Sequence, residues 1–198
     1  MAIMIDYPNP VDRQEGKTGF DIMLHATDDP ARLKKDYDSE GCVVVDNSEI
    51  LQIEKHIRLG LTPILIFEDL KPEYVVHNPA SPALLAFQKW VKAWETKNID
   101  GYAGSYASSF TYNKMNLKQY KAYKNTLNKK YDTINVGVKN VRVFEHPKYT
   151  MIMFSQNYVS TLRGGRPAFK SSGTKALYWI KEGDTFKIAS EDFTQLKE

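Results

Sequence analysis

Between Ile134 and Phe193 the chain runs through four long strand-like segments separated by only three short turns. The segments cover about 134–145, 150–162, 168–181 and 185–193, and the turns are His146-Pro147-Lys148, Arg163-Gly164-Gly165-Arg166 and Glu182-Gly183-Asp184. Turns this short join antiparallel neighbours, because a parallel return needs a long crossover. The sequence therefore predicts a meander whose apolar face needs a cover. Three helical segments directly before it supply one. Ser81-Pro82 opens the first, which buries Leu84, Phe87, Val91 and Trp94 at i, i+3, i+7 and i+10. A short second helix carries Tyr102 and Tyr106 and extends toward Phe110. The third, about 117–130, sets Tyr120, Tyr123, Leu127 and Tyr131 on one side and Lys118, Lys121 and Lys124 on another. Helices followed by a meander make an α+β fold.

The chain before these helices has another character. Phe20–His25 alternates Phe20, Ile22 and Leu24 with Asp21, Met23 and His25, which predicts a half-buried strand ending at His25. Residues 26–40 lack a sustained period and read as a long loop with at most one helical turn. Gly41–Asp46 is β-branched and strand-like. Asn47 or Ser48 then caps a helix that turns Ile50, Ile53 and Ile57 to the core and stops at Gly60. Thr62–Phe67 reads as one more strand. Pro72, Pro79 and Pro82, beside Asn78 and Ser81, mark a linker. The expected organisation is a unit over 1–70, a linker over 71–82 and a second unit over 83–198.

Charge follows the same division. The net +3 of the whole chain hides 8 basic and 15 acidic residues over 1–79, a net −7, against 19 and 9 over 80–198, a net +10. The composition, 42% hydrophobic and 26% charged, is that of a globular chain and excludes a disordered or collagenous one. The longest apolar run, Thr62–Phe67, is strand-sized, so no membrane span is expected. Met1–Pro10 lacks the basic start and apolar core of a signal peptide. One cysteine, Cys42, excludes an internal disulfide and a multi-cysteine zinc site.

Cys42 is then either core filler or a nucleophile. A thiol before Val43-Val44-Val45 is by default a buried core residue. The chemical alternative is an imidazole-activated thiolate, with His25 at a strand end and Cys42 at a strand start meeting at one sheet edge. Gly41 would let a substrate approach the backbone, and the amides near Gly41 and Cys42 would face an oxyanion.

The run His25-Ala26-Thr27, then Ser39-Glu40-Gly41-Cys42-Val43-Val44, with Asp46-Asn47 opening a helix, resembles the L,D-transpeptidase catalytic domain. That family's signature is a His-Gly-Thr-like stretch, a loop of this size, and Ser-His-Gly-Cys followed by a small apolar residue and Arg. Asp6-Tyr7-Pro8-Asn9 and Lys17-Thr18-Gly19 are similar to the approach to its histidine. The resemblance implies Cys42 as nucleophile and His25 as general base, with Ser39 and Gly41 framing the nucleophile turn. It makes Thr27, Glu40 and Tyr7 candidate substrate contacts, and it implies neither a metal nor an organic cofactor.

Three departures stand out: Glu40 replaces the usual His, Ala26 a common Gly, and Val44 a common Arg that helps bind substrate carboxylates. They resemble the shape-determining L,D-carboxypeptidases of curved and helical bacteria, where water takes the acyl group and a peptidoglycan tetrapeptide becomes a tripeptide. That subgroup carries a second domain similar to the nuclear transport factor 2 fold, a cone of three helices on a curved antiparallel sheet around a pocket. The helix-then-meander half has that order, and the two resemblances span about 6–193.

By the same resemblance, 1–70 is the C-terminal part of a mostly-β catalytic domain that begins earlier in the family. The chain is then expected to expose sheet edges and apolar surface, and to be weakly active or inactive unless a partner supplies those upstream strands. The implied partner is a peptidoglycan stem peptide, a homodimer is a candidate assembly, and the implied location is the periplasm or cell envelope. Two other functions stay open: a transpeptidase that forms cross-links, and a non-catalytic module that binds a ligand in the cone pocket.

Remaining features have plainer readings. Six of the twelve tyrosines lie between Tyr102 and Tyr131, and their helical spacing suits core packing, as it does for Trp90 and Trp94. The stripe Lys114, Lys118, Lys121, Lys124 reads as a solvated helix face, and no nucleic-acid-binding motif accompanies it, so no nucleic-acid partner is expected. His56 and His146 read as surface residues and His77 as part of the linker. A zinc site from His25, Cys42 and nearby aspartates lacks ligand spacing.

Overall fold

Three consecutive valines, Val43–Val45, build one edge of a small sheet in the first part of the chain. The structure, a computed structural model, describes residues 1–35, 38–69, 71 and 81–196. It divides into two units, Met1–Phe67 and Glu68–Glu198. Most of the segment read as a linker, residues 72–80 with His77, lies outside the described residues.

The first unit runs β1 (Ala2–Met4), α1 (Pro10–Gln14), β2 (Met23–Ala26), a 3-10 turn (Pro30–Lys34), β3 (Val43–Val45) and α2 (Asn47–Glu54). β2 is central, antiparallel to β1 and parallel to β3. A parallel neighbour needs a crossover, which the long excursion from Thr27 to Cys42 supplies. Leu24 and Ile50 are its buried aliphatic side chains.

Several expectations need correction here. The strand read from Phe20 starts only at Met23, and Phe20 itself is 82% exposed. The cap of α2 is Asp46, one residue earlier than expected. Its carboxylate accepts from Ser48 N at 2.7 Å, while Glu49 accepts from the Asp46 amide at 3.3 Å, a reciprocal capping box. The helix ends at Glu54, short of Gly60. Thr62–Phe67 forms no strand: Pro63 removes a ladder donor, and Ile66 is 67% exposed. β1 and α1 have too few residues for a periodic signal, and α1 depends on its Asn9 cap.

The second unit holds α3 (Pro82–Glu95), α4 (Ile99–Gly104), a two-residue-strand hairpin of β4 (Thr111–Tyr112) and β5 (Met115–Asn116), and α5 (Leu117–Lys130). The meander follows as β6 (Thr133–Glu145), β7 (Thr150–Thr161), β8 (Pro167–Glu182) and β9 (Thr185–Gln195), paired antiparallel in the order β6-β7-β8-β9. Register shifts near Lys139/Arg142, Ser160/Thr161 and Tyr178/Trp179 add the local twist that curls a long sheet around its helices. Gly173 is required by its neighbours, since a Cβ there would lie 2.3 Å from the Thr194 carbonyl oxygen of β9.

Trp90, Phe87 and Trp94 from α3 meet Ile152, Phe154, Leu177, Trp179 and Ile188 from the sheet, giving an all-aromatic and aliphatic core. Each such fully buried side chain contributes roughly 1.5–3 kcal/mol relative to exposure. The helix and meander expectations hold to within one or two residues. The exceptions are Tyr106 and Phe110, which lie beyond α4 yet are buried at 3% and 1% exposure. His146 is half-buried rather than on the open surface, its ring stacked on Tyr149.

Candidate functional site

The parallel register pairs Leu24 with Val43 and His25 with Val44. Cys42 leads into β3, two residues before Val44. His25 on β2 and Cys42 at the start of β3 thus belong to neighbouring strands.

His25 Nδ1 lies 2.7 Å from the Ala26 carbonyl oxygen. A carbonyl only accepts, so Nδ1 donates to it, and in the neutral imidazole Nε2 is then the nitrogen with the lone pair. Cys42 is a free, half-buried thiol whose Sγ donates to the Asp21 carbonyl at 3.8 Å. No hydrogen bond runs directly between Cys42 and His25 among the described residues. Asp21 itself holds a left-handed backbone, φ 57°, as it turns into β2.

The turn before the thiol is held from both sides. Ser39 Oγ donates to the Cys42 carbonyl at 2.7 Å. Gly41 has φ +113°, and a Cβ on it would sit 3.1 Å from Ile22 Cδ1, so the position needs glycine. One residue earlier than Ser39, Asp38 receives Arg32 Nε at 2.7 Å and returns its carbonyl to Arg32 Nη2 at 3.0 Å. That contact holds the Asp38 carboxyl below the usual range and closes the excursion on itself.

The other candidate contacts are spread around this turn. Thr27 is buried, with Oγ1 donating to the Asp29 carbonyl and accepting from its amide, both at 3.1 Å. Glu40 is exposed. Tyr7 is half-buried, and its ring packs where a side chain on Gly19 would stand. Among the described residues no group of three or more His, Cys, Asp or Glu is placed to hold a metal ion.

A second cluster, in the other unit, was not legible as a site. Lys175 Nζ pairs with Glu191 at 3.2 Å, and their side chains are 8% and 4% exposed. Tyr106 and Tyr120 donate to the same carboxylate at 2.9 and 3.1 Å, and Tyr102 links their hydroxyls. Burial alone would raise the Glu191 carboxyl, but the Lys175 and Lys124 cations and the Tyr106 hydroxyl outweigh it and hold it low. Burial pushes the hydroxyls of Tyr102, Tyr106 and Tyr120 well up, so they stay protonated donors.

Lys124 corrects the reading of a solvated stripe. Its ammonium sits 4.8 Å from the centre of the Trp94 ring, 5.3 Å from Tyr102 and 5.4 Å from Tyr120. Burial lowers it to about 8, with Glu191 opposing and Lys175 adding to the shift. The signal for the cluster in the sequence was Lys175, at an inward position of β8 in phase with Leu177 and Trp179. A separate open cleft of about 470 Å³, edged by Lys89, Lys92, Thr96 and Asn98, carries mostly solvent-facing side chains.

Comparison with known proteins agrees with both units. Residues 3–66 match the L,D-transpeptidase catalytic domain, and residues 83–192 match the Cds6 C-terminal NTF2-like domain. The chain belongs to the L,D-transpeptidase family that carries this NTF2-like domain. A solved structure of Bd1075 from Bdellovibrio bacteriovorus is 32% identical, with a TM-score of 0.77, covering 100% of this chain and 69% of that one. The helical cell shape determining protein Pgp2 from Campylobacter jejuni is 20% identical, with a TM-score of 0.62, covering 96% of this chain and 67% of that one, a likeness of fold.

An NTF2-like putative dehydratase from Streptomyces avermitilis shares the fold of 59% of this chain over 96% of its own, at 10% identity and a TM-score of 0.51. The chain thus spans about two thirds of the lengths of Bd1075 and Pgp2. No curated protein matches the sequence. No helix among the described residues is long and apolar enough to cross a membrane.

Proposed function

We propose that this L,D-transpeptidase-family protein is a peptidoglycan L,D-carboxypeptidase of the cell envelope, acting in the periplasm and influencing cell shape. Its substrate is a stem tetrapeptide, and its product is the tripeptide with free D-alanine. The observation that carries the reading is the bond from His25 Nδ1 to the Ala26 carbonyl, which leaves Nε2 to act as a base toward Cys42, the residue that leads into the neighbouring strand β3.

The thiol turns from the Asp21 carbonyl toward His25 and gives up its proton to Nε2. The thiolate attacks the carbonyl between the diamino acid and terminal D-alanine. Backbone amides around Gly41 and Cys42 stabilise the oxyanion, and the imidazolium protonates the departing amine. Water, activated by the same imidazole, then opens the thioester. Were a second stem peptide's amine to arrive instead, the product would be a cross-link. Only the likeness to the shape-determining carboxypeptidases favours water over the amine.

The test is incubation of the protein, beside Cys42→Ala, with purified tetrapeptide muropeptides. Mass spectrometry reads tripeptide as support and cross-linked dimer as the transpeptidase alternative. Unchanged substrate, also when the upstream strands of the family's domain are joined to the chain, sinks the enzymatic reading.

A second reading rests on the Lys175–Glu191 pair and the ring-enclosed Lys124. In it the NTF2-like unit is a binding module that holds a ligand in its cone. Retained affinity of Cys42→Ala for muropeptides, without turnover by the wild type, favours it.

A further inference from the structure

We propose that, given Cys42 as the nucleophile of the reading above, Arg32 is its positioning residue. The Arg32 fork on Asp38 fixes the excursion between β2 and β3, so that the thiol turn is presented in one orientation. β3 has three residues, lies at the edge of its sheet and has three register pairs with β2. So short a ladder offers few backbone bonds, and the crossover has to supply part of the constraint.

The crossover is tied down in steps that run from the His25 end to the Cys42 end. Just beyond Ala26, buried Thr27 exchanges two hydrogen bonds with Asp29, and the Asp29 carboxylate caps the 3-10 turn by accepting from the Ala31 amide at 2.9 Å. Arg32 leaves that turn and closes on Asp38 with two nitrogens, one donating to the carboxylate and one to the main-chain carbonyl. Asp38 is followed directly by Ser39, whose hydroxyl holds the Cys42 carbonyl at 2.7 Å. A planar guanidinium makes both Asp38 contacts at once, which sets the direction of the chain there as well as its distance. Asp28 and Asp29 also lie near this cation, but the Asp29 carboxylate is engaged at Ala31 and the side-chain hydrogen bonds of Arg32 go to Asp38.

An exposed ion pair adds little to global stability, so its effect is the selection of one local conformation. Losing the fork frees Ser39 to move, and with it the half-buried sulfur and the amides around Gly41. Small displacements of a reacting group lower turnover steeply.

The test uses the full chain, whose one cysteine makes alkylation report on Cys42 alone. Iodoacetamide labelling of the wild type, Arg32→Gln, Asp38→Asn and the double variant is followed by mass spectrometry at pH 10, where an ordinary thiol is ionised and the rate reads access to the sulfur. Each single variant should label about two- to fivefold faster, with a melting temperature within about 2 °C of the wild type. The double variant should match the singles, because one contact is broken in all three. Arg32→Lys, which keeps the charge but not the fork, should fall between them and the wild type. Equal labelling of all the proteins overturns the proposal, as does an additive double variant. Faster labelling that comes only with a large fall in melting temperature makes the pair structural and overturns it too. With tetrapeptide muropeptides the same variants should lower kcat about tenfold at unchanged KM. A raised KM with unchanged labelling makes Arg32 a substrate contact and overturns its positioning role. Wild type that leaves muropeptides unchanged, while labelling still depends on Arg32, removes the enzymatic reading and supports the placement of the sulfur by Arg32.

Discussion

His25 and Val44 are register partners across the parallel strands β2 and β3, and Cys42 enters β3 two residues before Val44. The contact of Nδ1 with the Ala26 carbonyl then decides which ring nitrogen can act as base. If the pair works as proposed, Cys42→Ala abolishes tripeptide release, and His25→Gln lowers kcat by about 10²–10⁴ while leaving the melting temperature nearly unchanged. Turnover of muropeptides with melting curves checks both.

Gly41 combines φ +113° with a Cβ position 3.1 Å from Ile22 Cδ1. Gly41→Val should therefore move the thiol turn and cost about 1–3 kcal/mol of stability. Alkylation of Cys42 by iodoacetamide should change in rate, and denaturant unfolding gives the energy. An unaltered rate with unaltered stability would contradict the geometry.

Glu191 neutralises Lys175 in a site where both are buried. Glu191→Leu leaves that ammonium unpaired and should destabilise the second unit by about 3–5 kcal/mol. Since the folded Glu191 carboxyl lies below its ordinary value, its stabilisation is present above the unfolded pKa and is lost as pH falls through the folded one. Melting from pH 7 down to pH 3 should show a smaller decline in a variant that lacks it.

Lys124 has a linkage of the same sign at higher pH. Its folded pKa of about 8 lies below that of the unfolded chain, so the unfolded state binds more protons between roughly pH 8 and 10.4. Stability from this group therefore rises with pH across that window, and below it the charged amine carries a constant penalty. Lys124→Met should stabilise the protein by about 1–3 kcal/mol at pH 7, with a smaller gain at pH 9.5. Urea melts at the two pH values measure this directly.

Local chemistry explains which elements were legible. The four meander strands and α3 and α5 carry long periodic patterns with strong caps, such as Ser81 and Asn116, so their limits follow from the residues alone. Thr62–Phe67 misled because an apolar run states only that burial is favourable; without a strand beside it, the run has no ladder to join. Tyr106 and Phe110 kept their core role outside a helix because their burial depends on neighbours across the unit.

The sequence by itself determined the order of α3, α5 and the four meander strands, the tyrosine and tryptophan core and the chemical candidates His25 and Cys42, since these follow from periodicity, turn chemistry and residue type. Tertiary structure alone decided the tautomer of His25, the thiol's resting partner Asp21, and the transfer of Lys124 from helix surface to a ring-lined cluster. Those outcomes depend on pairings between residues far apart in the chain. Lys124, Lys175 and Glu191 come from α5, β8 and β9, and only sheet register and helix packing make them neighbours.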